Sequence, residues 1–219
     1  MKKFASFFAV FLFITLFAVA SEAGDRNIPV EVAQLTDSLK KQFAPDRRVA
    51  LLDVDYSFSD KNVMLRGVTT SAEAKNALLK ELARKGYAVM DCLELLPDVK
   101  GLEGKTCGII NVSVANMRVA PDFSSEMMTQ SLMGMPVRVL QRDGWVRIQT
   151  PDNYIAWVHR VGVHPVTEEE MAAWNKAEKI VVTAHYGFVY SEPNQTSQTV
   201  SDVVAEVGGP SGLRKTTTY

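Results

Sequence analysis

Cysteine and histidine are scarce in this chain of 219 residues, two of the first and three of the second. His159, His164 and His185 fall on strand ends or loops, and their plain reading is surface or rim side chains. They lack the close ligand spacing of a metal site, so no metal and no cofactor is implied. An excess of either charge is also missing, with 24 Lys and Arg against 25 Asp and Glu. That balance excludes the basic footprint of a nucleic-acid binder and a polybasic membrane patch. Long apolar runs are absent beyond the start, where Phe7–Val19 is apolar apart from Thr15.

That run is too short and wrongly flanked for a membrane span, which needs ~20 residues. Lys2 and Lys3 precede it, and small-residue cleavage sites follow at Ala18-Val19-Ala20 and Ser21-Glu22-Ala23. Residues 1–23 therefore read as an export signal. The protein is expected to be exported, periplasmic or associated with the cell envelope, with no stable membrane span after signal removal. In such a compartment Cys92 and Cys107 can form a disulfide. The alternative is two reduced, buried thiols, and Cys92 lies inside an apolar run.

The mature chain begins with an α+β unit over residues 28–97. Apolar residues at Val32, Leu35, Leu39 and Phe43 predict a helix, stopped by Pro45. Residues 48–58 and 63–68 read as strands about the turn cluster Ser59-Asp60-Lys61-Asn62. Thr70 and Glu73 suggest a capping box for a helix over 71–85, ended by Gly86. A third strand, 87–96, is halted by Pro97. Residues 98–106 are polar and punctuated by glycine, and read as a linker. Residues 107–165 carry short strands with a turn signal every eight to twelve residues, the pattern of a small all-β barrel or sandwich. A capped linker helix over 166–179 would dock by Met171 and Trp174. Strands at 180–184, 189–193 and 201–205 read as a second, incomplete barrel. The last residues, 206–219, have no apolar period and read as a disordered tail. The pattern thus predicts a chain that stops inside a domain, by truncation or frame change.

Two resemblances add to this. The stretch V-M-L-R-G-V-T-T-S-A-E-A-K-N-A-L-L-K-E-L-A-R-K-G-Y resembles the core of a BON domain, a small fold of exported bacterial envelope proteins; an unrelated α+β module of the same order is the alternative. The motifs N-M-R-x-x-P, S-E-M-M-T-Q-S-L-M-G, D-G-W-V-R-I-Q-T and N-Y-I-A-W-V resemble a bacterial SH3-like domain. With the helix bearing Trp174 and the second barrel start, they resemble the front part of NlpC-type cysteine peptidases. The subgroup is the one that cleaves the γ-D-glutamyl–diamino acid bond of peptidoglycan stem peptides. One departure is Ala156, where the resembled pattern has glycine before Trp-Val.

The resemblance implies a catalytic domain downstream, with a cysteine at a helix start and histidines as base and orienter. Nothing in this chain matches it: Asp91-Cys92 continues into Leu93-Glu94-Leu95-Leu96, a strand rather than a helix start. No catalytic residue is therefore assigned. The resemblance does imply substrate-binding residues, Glu126 and Tyr154, which would read the free amine of the stem peptide's N-terminal alanine. A carboxylate pairs with an ammonium, and a phenol adds one oriented hydrogen bond. The alternative is a solvated glutamate and a surface tyrosine. Arg118 reads as a brace of the barrel. Trp145 and Trp157 read as core, or one of them as an exposed stacking platform. The expected function is non-catalytic binding of peptidoglycan stem peptides. The alternatives are the peptidase itself, or an envelope module that binds proteins.

Overall fold

The computed structural model describes residues 29–179, 182 and 185–204. The expected export signal and the expected disordered tail lie outside the described residues. The chain divides into two units, one up to Pro45 with Leu52–Glu94, the other Asp46–Leu51 with the chain from Leu95 onward.

The first unit runs helix, strand, strand, helix, strand: α1 Val30–Phe43, β1 Leu52–Ser59, β2 Asn62–Thr69, α2 Ala72–Arg84 and β3 Ala88–Leu95. The three strands form one sheet in the order β1-β2-β3. Apolar residues spaced three or four apart give each helix one buried stripe. Val32 and Leu39 of α1, and Ala74, Leu78 and Leu82 of α2, join Leu52, Val63, Leu65 and Leu93 in one core. The α2 cap falls on Ser71, not Thr70, because β2 runs through Thr69. Ser71 Oγ accepts from the Ala74 amide at 3.0 Å, while Glu73 accepts from Ser71 Oγ at 3.1 Å. Gly67 has φ +121, and a Cβ there would lie 2.1 Å from the Asp53 carbonyl oxygen, so only glycine fits. Cys92 is exposed on β3 rather than buried. The strand turns Leu93 inward, and alternation turns its neighbour out.

The second unit holds a seven-stranded sheet in the order β10-β4-β7-β8-β9-β5-β6. Its strands are β4 Cys107–Ile110, β5 Val114–Arg118, β6 Met127–Leu132, β7 Pro136–Asp143, β8 Trp145–Gln149, β9 Ile155–His159 and β10 Val163–Val166. Alternation is clearest in β8, where Val146 and Ile148 are buried between half-buried Trp145, Arg147 and Gln149. The core gathers Ile110, Met117, Val139, Val146, Ile148, Val158 and Val163. Leu102 joins it at 5% exposed. Residues 98–106 are therefore part of the barrel rather than a linker. The Asp98 amide donates to the Leu140 carbonyl at 2.9 Å and the Val139 amide to the Thr106 carbonyl at 2.8 Å. Helix α3, Glu168–Lys176, opens with the Thr167–Glu170 capping box and buries Met171.

Beyond α3, β11 Tyr186–Tyr190 and β12 Thr199–Val204 form an antiparallel hairpin. These strands differ from those expected at 189–193 and 201–205; of the expected strand at 180–184, all but 182 lies outside the described residues. The hairpin repeats β5–loop–β6. Both have an irregularity at the end of the first strand, Met117/Arg118 and Val189/Tyr190. The Ala120 amide donates to Ser125 Oγ, as the Glu192 amide does to Ser197 Oγ. Ser124 donates twice to Asp122 Oδ1, and Thr196 twice to Asn194 Oδ1. Pro193, taken as strand from sequence, sits where Pro121 sits, in the loop. A prolyl nitrogen has no N–H for a ladder.

The placement of Leu102 gives a test. Leu102→Ala is expected to cost about 2–4 kcal/mol of barrel stability by the lost packing and the cavity left behind. All three tryptophans belong to the second unit, so urea unfolding followed by their fluorescence measures it. A free linker would give a change near zero.

Candidate functional site

The second unit contains a cavity of about 390 Å³, within the range of small-ligand sites. One wall is the segment Asp46–Leu51, of which sequence reading took 48–51 for strand. It is instead a turn closed by Asp46. The Asp46 carboxylate accepts from the Arg48 amide at 2.9 Å and from Arg48 Nη2 at 2.7 Å. The Val49 and Ala50 amides both donate to the Asp46 carbonyl at 3.0 Å. The Ile155 amide donates to the Arg48 carbonyl at 2.6 Å, which fastens this wall to β9. Gln149 Nε2 donates to the Val49 carbonyl at 3.3 Å.

The opposite wall is the loop between β5 and β6. Asp122 accepts from the Ser124 amide and hydroxyl, both at 2.7 Å, and these bonds hold its carboxyl below the usual range. Arg118 Nη1 donates to the Ser125 carbonyl. It thus braces the loop that ends in Glu126. The floor is β9, where Trp157 is 7% exposed and the Arg147 guanidinium lies 4.5 Å from its ring centroid. Tyr154 enters from the turn Thr150–Tyr154, where Asn153 takes φ 70 and the Thr150 amide donates to the Tyr154 carbonyl at 2.9 Å. Its ring lies under Arg48, with the guanidinium carbon 5.9 Å from the centroid.

Glu126 and Tyr154 both line this cavity. Asp46 and Arg48 line it too, and sequence reading missed them. Asp two residues before Arg, just after the helix-stopping Pro45, was the available signal for a closed turn. Trp157 faces this cavity while remaining buried. Trp145 is half-buried and meets His159 across the sheet, with centroids 5.3 Å apart. Phe123, 67% exposed, packs at a tilt against both rings, with centroids 4.9 and 5.1 Å away. Ala156 is paired with Ile148 in β9 and 2% exposed; it is not among the residues at positive φ, so alanine suits the strand.

The two cysteines are free thiols in different units, and the disulfide weighed from sequence is not formed. Burial, then the nearby Glu168, pushes the Cys107 thiol up, the opposite of what a nucleophilic thiolate needs. Among the described residues, no three His, Cys, Asp or Glu side chains are grouped to hold a metal. No described helix is long and apolar enough to cross a membrane.

Residues 117–161 match the model of the bacterial dipeptidyl-peptidase SH3 domain. That span contains Glu126, Arg147, Tyr154 and Trp157, and excludes Asp46 and Arg48. No curated protein matches the chain. Among solved structures, NlpC2 from Trichomonas vaginalis aligns at 16% identity and a TM-score of 0.25. The alignment covers 33% of this chain and 25% of that one, so the chain spans about a quarter of that protein's length. That likeness is too slight to bear on fold or function.

The Asp46–Arg48 clamp is directly measurable. Side-chain and then backbone hydrogen bonds from Arg48 hold the Asp46 carboxyl at about 2, against an ordinary 3.8. Because the folded value is depressed, the clamp's stabilisation is complete above the ordinary value and is lost as pH falls through about 2. Carboxyl-carbon NMR titration should find that midpoint, and Arg48→Gln should return it toward the ordinary value. An Asp46 midpoint unmoved by Arg48→Gln would contradict the clamp.

Proposed function

We propose that this chain is an exported cell-wall recognition protein whose SH3-like barrel binds peptidoglycan stem peptides by their free N-terminal ammonium. Glu126 takes the charge, and the Tyr154 hydroxyl adds a directed hydrogen bond. The export signal over residues 1–23 and the BON resemblance of residues 28–97 support an address in the cell envelope. The match of residues 117–161 to an SH3 domain named for a bacterial dipeptidyl-peptidase supports a role alongside cell-wall hydrolysis.

One observation carries the reading. The loop that presents Glu126 recurs before β12 with the same hydrogen bonds, and there the corresponding residue is Gln198. In both copies only the backbone is used: the Val119 amide donates to the Glu126 carbonyl, and the Ser191 amide to the Gln198 carbonyl. The loop therefore folds without a carboxylate at this position. A negative charge that the fold does not require, lining a cavity beside a tyrosine, is free to serve a cationic ligand.

Calorimetric titration with a synthetic alanyl-γ-D-glutamyl-diamino acid tripeptide tests this. Glu126→Gln is expected to weaken binding about 5–10-fold, the cost of losing a charge-assisted hydrogen bond at a partly exposed site. Tyr154→Phe should weaken it by a smaller factor, and N-acetylation of the peptide should abolish it. Equal affinity for the acetylated and free peptides would defeat the reading.

A further inference from the structure

The cavity carries more charge than an ammonium alone would use. Asp46, Arg47, Arg48, Glu126 and Arg147 all line it, three cations against two anions. Asp46 and Arg48 satisfy each other through the side-chain clamp at 2.7 Å. The Arg147 guanidinium lies over Trp157. Among the described residues, Glu126 and Arg47 have no ion-pair partner. The lining thus presents one uncommitted anion and one uncommitted cation to the same space.

We propose that this cavity recognises a zwitterion, with Glu126 taking the ligand's ammonium and Arg47 its carboxylate. The ammonium half rests on the function proposed above; the carboxylate half is additional and belongs to the Asp46–Leu51 wall. The net charge of the lining is the first reason. With three arginines and two carboxylates it is already positive, so a ligand bearing only an ammonium adds to the excess. A ligand that brings its own carboxylate leaves the balance unchanged. The guanidinium is the second reason. Its planar fork offers two parallel donors to a carboxylate, a geometry an ammonium side chain lacks.

The backbone beneath Arg47 is the third reason. Asp46 and Arg48 on either side are held by the Arg48 amide bond to Asp46 Oδ1 and by the two amides on the Asp46 carbonyl. Arg47 therefore projects from a fixed turn, and only its side chain is ordered on binding. The matching chemistry is a short peptide with a free terminal ammonium and a carboxylate on the next residue. A γ-linked glutamate has that form, because linkage through its side chain leaves its α-carboxylate exposed.

The test uses the purified chain and two probes, alanyl-D-glutamic acid with its γ-carboxyl capped as a methylamide, and the same compound with its α-carboxylate also amidated. Binding is followed by amide NMR shifts at Glu126 and Arg47 and quantified by calorimetry. The acid should bind about 5-fold tighter or more than the amide, as expected for a charged partner in a partly exposed site. Arg47→Gln should erase that preference without changing thermal unfolding, since Arg47 is exposed. Glu126→Gln should weaken both ligands and keep the preference. If acid and amide bind alike, or the preference survives Arg47→Gln, the carboxylate assignment falls while ammonium recognition stands. If neither ligand moves Glu126, both fall.

Discussion

The pairing of β8 with β9 determines which side chains of this barrel form core and which form surface chemistry. Val146 faces Val158 and Ile148 faces Ala156, and these four are buried in the core. The intervening pairs, Trp145 with His159 and Arg147 with Trp157, lie on the other face. Side chains alternate strictly along a strand, so a slip of one residue would exchange the two sets. It would drive a guanidinium inward and expose four apolar side chains, a change costing several kcal/mol. The register is therefore strongly specified, and the cavity floor is specified with it.

The two cavity walls are ordered differently from the floor. Each is a short loop whose conformation rests on hydrogen bonds to its own leading aspartate, Asp46 in one and Asp122 in the other. Both carboxyls are held below their usual range by those donors. A charged acceptor makes a stronger bond than a neutral one, so two exposed loops remain ordered with little apolar burial. Ordering before a ligand arrives lowers the entropic cost of binding. The hairpin at 186–204 keeps the same loop with Asn194 in place of Asp122 and Gln198 in place of Glu126. Its geometry needs an acceptor at the first position and makes no demand on the second.

Much of the architecture was legible in the residues. The helical stripe through Val32, Leu35 and Leu39, the alternation in 145–149 and the Thr167–Glu170 box each signal their element locally, and each element is found. The misreadings share one physical cause. Residues 48–51 and 98–106 look like strand and linker to a local reading, but each is fixed by partners distant in sequence. Arg48 is held by Ile155, and Leu102 by the barrel core. A buried Cys92 was weighed against a disulfide because its neighbours are apolar, whereas alternation about Leu93 turns it outward. The cavity lining was half legible: motif resemblance named Glu126 and Tyr154, whereas the Asp46–Arg48 wall has no local sign of the surface it joins.

The sequence by itself determined the elements, their order, and the charges available to any site, because periodicity, caps and turn residues act within a few positions of one another. Only the tertiary structure decided that a turn beyond α1, a loop before β6 and a tyrosine before β9 line one cavity. That convergence depends on hydrogen bonds between segments about a hundred residues apart, the Ile155 amide to the Arg48 carbonyl and Gln149 Nε2 to the Val49 carbonyl among them. No local preference encodes such a contact; it follows from the barrel's register.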